Sequence, residues 1–240
     1  MADINDASRN TSATPLHLAV EHERLEMIRW LLESGADKEA ALHTGDTPLH
    51  LAARNMNAEV VRVLLEFGAS PNAARHTDET PLHYAVRFST PEVIRLLLES
   101  GAEHRPTEAG AFPLHLAITC GDHSAIEVVL RLLIESDADS NAARCDGETP
   151  LRLAVKCGDS DMVRFLIESG ADQKAIGPDG ATPLHLAVRF GCTEVVSFLL
   201  ESVPGNGSRD ESLLQVAARR RRSKVVAFLE KCPSLKRRRR

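Results

Sequence analysis

The chain has 240 residues, 43% of them apolar, 4% aromatic and 26% charged; that apolar share excludes disorder throughout, and the few aromatics favour a core of Leu, Val, Ile and Ala on packed helices over a sheet. No run of eighteen apolar residues occurs, Met1 to Ser12 is polar, and the five cysteines include no C-x-x-C pair, so the expectation is an intracellular protein, cytoplasmic or nuclear or both, without membrane helix or signal peptide and with free thiols. The net charge of −5 is unevenly spread: residues 209–240 hold 12 Lys and Arg against 3 Asp and Glu, leaving 17 against 31 before them, so an acidic body ends in a basic tail.

In chain order, one hexapeptide keeps returning. Thr14-Pro15-Leu16-His17-Leu18-Ala19 recurs from Thr47, Thr80, Phe112, Thr149 and Thr182, at spacings of 33, 33, 32, 37 and 33, and a degenerate copy starts 30 residues later at Ser212. Thr-Pro predicts the start of a short helix, because Pro is tolerated in a first turn. A second helix follows, as in Glu92-Val93-Ile94-Arg95-Leu96-Leu97-Leu98, with its apolar residues on one stripe. Gly35, Gly68, Gly101 and Gly170 then end their helices, since glycine accepts the left-handed backbone found there. Polar stretches such as His43-Thr44-Gly45-Asp46 read as hairpin loops.

The T-P-L-H-x-A string at a period of 33 resembles the ankyrin repeat, over residues 9–231. The resemblance implies an all-α fold, a solenoid of stacked helix-turn-helix units joined by β-hairpin loops. The predicted repeats lie near 9–41, 42–74, 75–106, 107–143, 144–176, 177–206 and 207–231. They follow a partial repeat end at 1–8, where Ala2-Asp3-Ile4-Asn5 resembles the close of a unit, and precede a basic tail at 232–240. A single repeat has no means of burying its apolar face, so the units stack. The seventh, with Arg219 to Arg222 and Lys224 on its outer face, reads as a cap. The long fourth unit departs from the pattern between Asp122 and Asp137; a longer second helix over Ser124 to Glu135 or a protruding loop is expected, and Asp137 in place of Gly weakens the helix stop.

Several charged and polar positions have a structural reading. Arg29 and Glu33, Arg62 and Glu66, Arg95 and Glu99, Arg131 and Glu135, and Arg164 and Glu168 are spaced to pair along the second helices. His17, His50, His83, His115 and His185 share one repeat position without a recurring carboxylate beside them, which argues against metal or catalytic work. The resemblance implies hydrogen bonds within the turn and between neighbours for them, and Arg152, in the same place in repeat 5, is expected to weaken that network. No nucleotide-binding, hydrolase or zinc-protease motif is present, so the chain is read as no enzyme, with no cofactor and no small-molecule substrate.

The resemblance places partners on the concave side, formed by hairpin tips and exposed ends of the first helices. Seven and eight residues past each repeat's Thr stand Arg54, Arg87 with Phe88, Lys156, Arg189 with Phe190, and Arg219. Cations flanked by aromatics suit an interface, so these seven residues are the candidate partner-binding set. Charge favours an acidic or phosphorylated protein partner. The acidic body disfavours nucleic acid, and the protein is expected to be a monomer. Lys236 to Arg240 reads as a nuclear import signal, with a nuclear co-regulator or inhibitor as the alternative function. Leu133, Asp139 and Asn141 resemble the spacing of an asparaginyl hydroxylation site.

Overall fold

The computed structural model of the chain describes residues 4–8, 10–120, 125–202 and 211–231. Among them the helices come in pairs: α1 (Pro15–Glu21) and α2 (Leu25–Glu33), α3 (Pro48–Arg54) and α4 (Ala58–Glu66), α5 (Pro81–Arg87) and α6 (Pro91–Glu99), α7 (Pro113–Cys120) and α8 (Ile126–Glu135). Then follow α9 (Pro150–Cys157) and α10 (Ser160–Glu168), α11 (Pro183–Phe190) and α12 (Thr193–Ser202), α13 (Glu211–Arg219) and α14 (Ser223–Lys231). None of the described residues is in a strand. The hairpins are tight turns closed by backbone bonds: Leu42 N–H donates to the Asp46 carbonyl at 2.9 Å and Gly45 N–H to the Leu42 carbonyl at 2.8 Å, and Arg75 N–H donates to the Glu79 carbonyl and Asp78 N–H to the Arg75 carbonyl, both at 3.0 Å.

The repeated Thr-Pro-Leu-His starts each first helix by local chemistry. In α1, α3 and α5 the threonine is extended and Pro occupies the first turn. The histidine completes a capping box: Thr14 N–H donates to His17 Nδ1 at 3.2 Å while His17 N–H donates to Thr14 Oγ1 at 3.5 Å. Histidine here does what Glu or Gln does in the usual box, satisfying donors that the helix start leaves open. At the far end of the second helices Gly35 (φ 88°) and Gly170 (φ 90°) take the left-handed turn, and Asp137 takes it at φ 67°, at a steric cost that glycine avoids.

Compactness divides the chain into two units, Met1–Ala138 and Asp139–Arg240. In the first, α1, α3, α5 and α7 pack in succession as one layer and α2, α4, α6 and α8 as another. In the second, α9, α11 and α13 form one layer and α10, α12 and α14 the other. The motif leucines Leu16, Leu49, Leu82 and Leu114 of the first unit and Leu151 and Leu184 of the second are at most 1% exposed. Each contributes about 1.5–3 kcal/mol through its burial.

Two expectations meet their outcome here. The second helix of the fourth repeat begins at Ile126, not Ser124, and has ten residues against nine in α6; residues 121–124 of the insertion, like 232–240, lie outside the described residues. Asn5, Asn72 and Asn141 make one and the same bond: Asn5 Oδ1 accepts from Asp37 N–H at 2.8 Å, Asn72 Oδ1 from Glu103 N–H at 2.8 Å and Asn141 Oδ1 from Asp172 N–H at 2.7 Å.

The Arg-x-x-x-Glu ladder does not appear among the ion pairs that form. Arg62 turns back to Glu59 at 3.8 Å and across to Glu92 at 3.5 Å, Arg131 turns back to Glu127 at 3.2 Å, and Arg29 crosses to Glu66 at 3.8 Å. Side chains on a helix lean toward its N-terminus, so an arginine reaches the acid before it sooner than the one after.

Candidate partner-binding site

The candidate residues fall in both units and are described unit by unit. In the first, Arg54 ends α3, is exposed, and pairs with none of the described residues. Arg87 ends α5 and is held by the Glu79 carboxylate of its own hairpin. Phe88, the C-cap of α5, is 43% exposed. In the second unit Lys156 Nζ lies 2.9 Å from Glu148 Oε2, Arg189 Nη1 lies 3.3 Å from Asp179 Oδ2, and Phe190 is 40% exposed. Arg219 is exposed and pairs with none of the described residues.

The row of cations is therefore not a row of free charges. Arg87, Lys156 and Arg189 each meet an acid that lies eight or ten residues earlier in the same repeat. The sequence carried this signal in Glu79-Thr80-Pro81 and Glu148-Thr149-Pro150, where an acid stands directly before the motif. Arg54 lacks such a partner because Asp46, at the matching position, is already taken: Thr44 Oγ1 donates to it at 2.7 Å, Tyr84 OH at 3.1 Å, and Arg75 Nε at 3.0 Å.

Two buried polar clusters sit beneath these positions. In the first unit Tyr84 stands where the first, second, fourth, fifth and sixth motifs have leucine. Its hydroxyl accepts from Arg75 and donates to Asp46, its ring meets His50 edge-on at 5.9 Å, and the Arg75 and Arg87 guanidinium carbons lie 5.6 and 5.8 Å from the ring centre. Burial, with the Asp46 carboxylate beside it, pushes the phenol up to about 12. In the second unit Arg152 is 1% exposed. Its guanidinium donates to Glu148 at 3.2 Å, to Asp179 at 2.9 Å and to the Ala181 carbonyl. Burial alone would raise the Asp179 carboxyl, but the Ala181 N–H and Arg152 hold it below the usual range.

That finding corrects the expectation for Arg152. His17 Nε2 donates to the Asp46 carbonyl at 3.3 Å and His50 Nε2 to the Glu79 carbonyl at 3.2 Å, each reaching the residue before the next motif. Arg152 reaches the equivalent carbonyl, Ala181, and adds two carboxylates, so it extends the network where histidine would stop. The histidines are structural: burial lowers His17 and brings His50 and His83 down to about 4. In His17 and His50, with Nδ1 accepting from the threonine N–H, the neutral ring carries its proton on Nε2 and spans two repeats.

Among the described residues no group of three or more His, Cys, Asp or Glu is placed to hold a metal, and no helix is long and apolar enough to cross a membrane. Cys145 and Cys192 are free thiols, and burial raises the thiols of Cys157 and Cys192. Asn141 is exposed, yet its amide is engaged at both ends, Nδ2 donating to the Gly170 carbonyl at 3.1 Å. Any enzyme acting on it must first release those bonds.

Comparison with known proteins agrees with this geometry. The model for three copies of ankyrin repeats matches residues 38–108 and 103–176, and the single ankyrin repeat model matches 12–41 and 179–206. Among solved structures, the chain is similar to the ankyrin repeat domain of Bcl-3, described as a unique member of the IkappaB protein family, with 30% identity and a TM-score of 0.77 over 91% of this chain and 98% of that one. An ankyrin repeat domain from Acinetobacter baumannii AYE matches with 28% identity and a TM-score of 0.72 over 78% of this chain and 97% of that one. None of the curated proteins compared with the chain matches it. Since the capped Thr-Pro helix and the left-handed stop recur across the same stretch that the family models cover, the chain belongs to the ankyrin-repeat family.

Proposed function

We propose that this protein is a non-catalytic adaptor or regulatory subunit that recognises a protein partner on the side formed by its hairpin tips and first-helix ends, with Arg54, Arg87, Phe88, Lys156, Arg189, Phe190 and Arg219 in contact. Ankyrin repeats are in general protein-interaction modules. The observation that carries the finer reading is the recurrence, in both units, of a half-exposed phenylalanine directly after a hairpin-tethered arginine: Arg87 with Phe88 and Arg189 with Phe190. An aromatic anchor beside a guanidinium already fixed by a carboxylate loses little freedom on binding. Because Glu79 and Asp179 occupy those arginines, an acidic or phosphorylated partner gains by displacing or sharing a carboxylate, and Arg54 and Arg219 supply the unspent charge.

The test is a paired capture from cell lysate with the natural chain and an Arg87→Glu, Phe88→Ala, Arg189→Glu, Phe190→Ala variant, matched for folding by circular dichroism. Proteins retained by the first and lost by the second support the surface; an identical set of bound proteins overturns it.

A second reading, a nuclear co-regulator or inhibitor, is favoured by the 30% identity to a domain described as belonging to the IkappaB family. Its address would be Lys236 to Arg240, outside the described residues. Loss of nuclear accumulation on deleting those five residues supports it; unchanged distribution removes it.

A further inference from the structure

The first repeat presents an apolar face whose counterpart in the second repeat is covered. By register Leu18 matches Leu51, Met27 matches Val60, and Trp30 matches Val63. The later residues are 3%, 1% and 0% exposed because repeat 1 stacks on them, whereas Leu18 is 48%, Met27 54% and Trp30 60% exposed. Together with Pro15, Ala19 and Leu25 they line one groove along α1 and α2. A repeat face left uncovered among the described residues is expected to be polar. Here two residues larger than their buried counterparts stand on it instead, and three large apolar side chains on one face mark an interaction surface.

We propose that this face is where two copies of the chain meet, two α1–α2 pairs packing face to face about a two-fold axis. Continuity with the repeat-to-repeat interface sets the kind of contact, since the same positions already stack on helices within the chain. The opposite, head-to-tail arrangement fails on chemistry. At the last repeat Glu230 stands where Leu32 and Leu200 stand in theirs, beside exposed Arg221 and Arg222. Seating Trp30 and Met27 there would bury a carboxylate against apolar groups. Only the like face leaves the centre free of charge. Its rim is also self-complementary: Arg24 and Glu26 border the groove, both are exposed, and neither pairs with a described residue. A two-fold axis lets Arg24 of one copy meet Glu26 of the other twice over. Helices of seven and nine residues are only about 10–14 Å long, so the contact belongs to the small, weak and reversible class.

Trp30 is the only tryptophan, so its emission reports this face alone. Over about a hundredfold range of protein concentration, molar mass by light scattering rises toward that of a dimer and the emission shifts to the blue with the same midpoint. Met27→Glu, at an exposed position, keeps the fold by circular dichroism and stays monomeric with red-shifted emission. Arg24→Glu weakens association by about threefold to tenfold, and adding Glu26→Arg restores it. A mass that stays monomeric at every concentration overturns the proposal, as does a Met27→Glu variant that still dimerises. Blue emission from a monomer at the lowest concentration overturns it too, since the face is then covered by something other than a second copy. If Arg24→Glu with Glu26→Arg associates no better than Arg24→Glu alone, the two-fold pairing is wrong.

Discussion

Arg152 and Gly177 share one space across the boundary between repeats 5 and 6: a Cβ built on Gly177 would lie 2.0 Å from Arg152 Cζ and 2.2 Å from its Nη2. The guanidinium fills the space a side chain on Gly177 would take while it donates to Glu148, Asp179 and the Ala181 carbonyl. The arginine needs that glycine, whose place holds Leu42, Arg75, Thr107 and Arg144 in other repeats.

Gly177→Ala therefore destabilises the second unit by about 1–3 kcal/mol, as overpacking does, and the cost shrinks when Arg152 is changed to the histidine of the other repeats. Denaturant unfolding of the two single variants and the double variant measures the coupling. Additive losses would mean that the two residues do not compete for one space.

The buried histidines make stability fall in mild acid. His50 and His83 hold their protons off until about pH 4 in the folded chain, while an exposed imidazole titrates near 6.5. Between those values the unfolded chain binds more protons, so stability rises with pH through the window and is lost as pH falls from about 6.5 toward 4. Each such histidine contributes a slope of about 1.4 kcal/mol per pH unit at most, and His17 adds in the same direction. Urea midpoints taken from pH 7 to 4.5 are expected to drop, and His50→Gln is expected to flatten the dependence. A pH-independent midpoint would contradict the buried neutral rings.

The repeat register was legible because Thr, Pro, His and Gly each act on the backbone within four residues of themselves, and local chemistry repeats wherever the string does. The ends of the side chains were harder. Reading Arg62 toward Glu66 ignored the N-terminal lean of helical side chains and the neighbouring helix that brings Glu92 to 3.5 Å. Reading Arg87, Lys156 and Arg189 as a free ridge ignored the hairpin, which folds Glu79, Glu148 and Asp179 back toward the end of the first helix. Tyr84 differs from its neighbours by one letter in the motif, yet it organises a cluster drawn from residues 46 to 87. Trp30 looks like an ordinary core position by periodicity, and only its place in the first repeat leaves it 60% exposed.

Tyr84 is the only tyrosine, so its ionisation can be followed directly by absorbance near the tyrosinate band. Its phenol is pushed up to about 12 against an ordinary 10. The folded chain keeps the proton where the unfolded chain has lost it, so stability falls as pH rises from about 10 to 12. The absorbance step is expected late and steep, coinciding with loss of helix by circular dichroism. A smooth step near pH 10 with helices intact would show that the hydroxyl is free of Asp46 and Arg75. Tyr84→Phe removes the step and costs about 1.5–3 kcal/mol, the typical loss when a buried bond to a charged group goes.

A last pair separates the core from the surface in each repeat. Leu49 is 1% exposed on the inner face of α3, and Arg54, at the end of the same helix, is exposed and pairs with none of the described residues. Leu49→Ala removes buried methyl groups and leaves a cavity that the α3–α5 contact only partly closes, at about 2–5 kcal/mol. Arg54→Ala removes nothing that the fold uses and stays within about 0.5 kcal/mol. In the second unit Leu184→Ala and Arg219→Ala repeat the contrast on α11 and α13. Chemical denaturation of the four variants decides it, and because both changes in a unit lie on its first-helix layer, a difference in stability reports side-chain direction alone. Equal losses within either unit would place the register of that unit one face out of turn, and with it the assignment of every candidate contact residue in that unit.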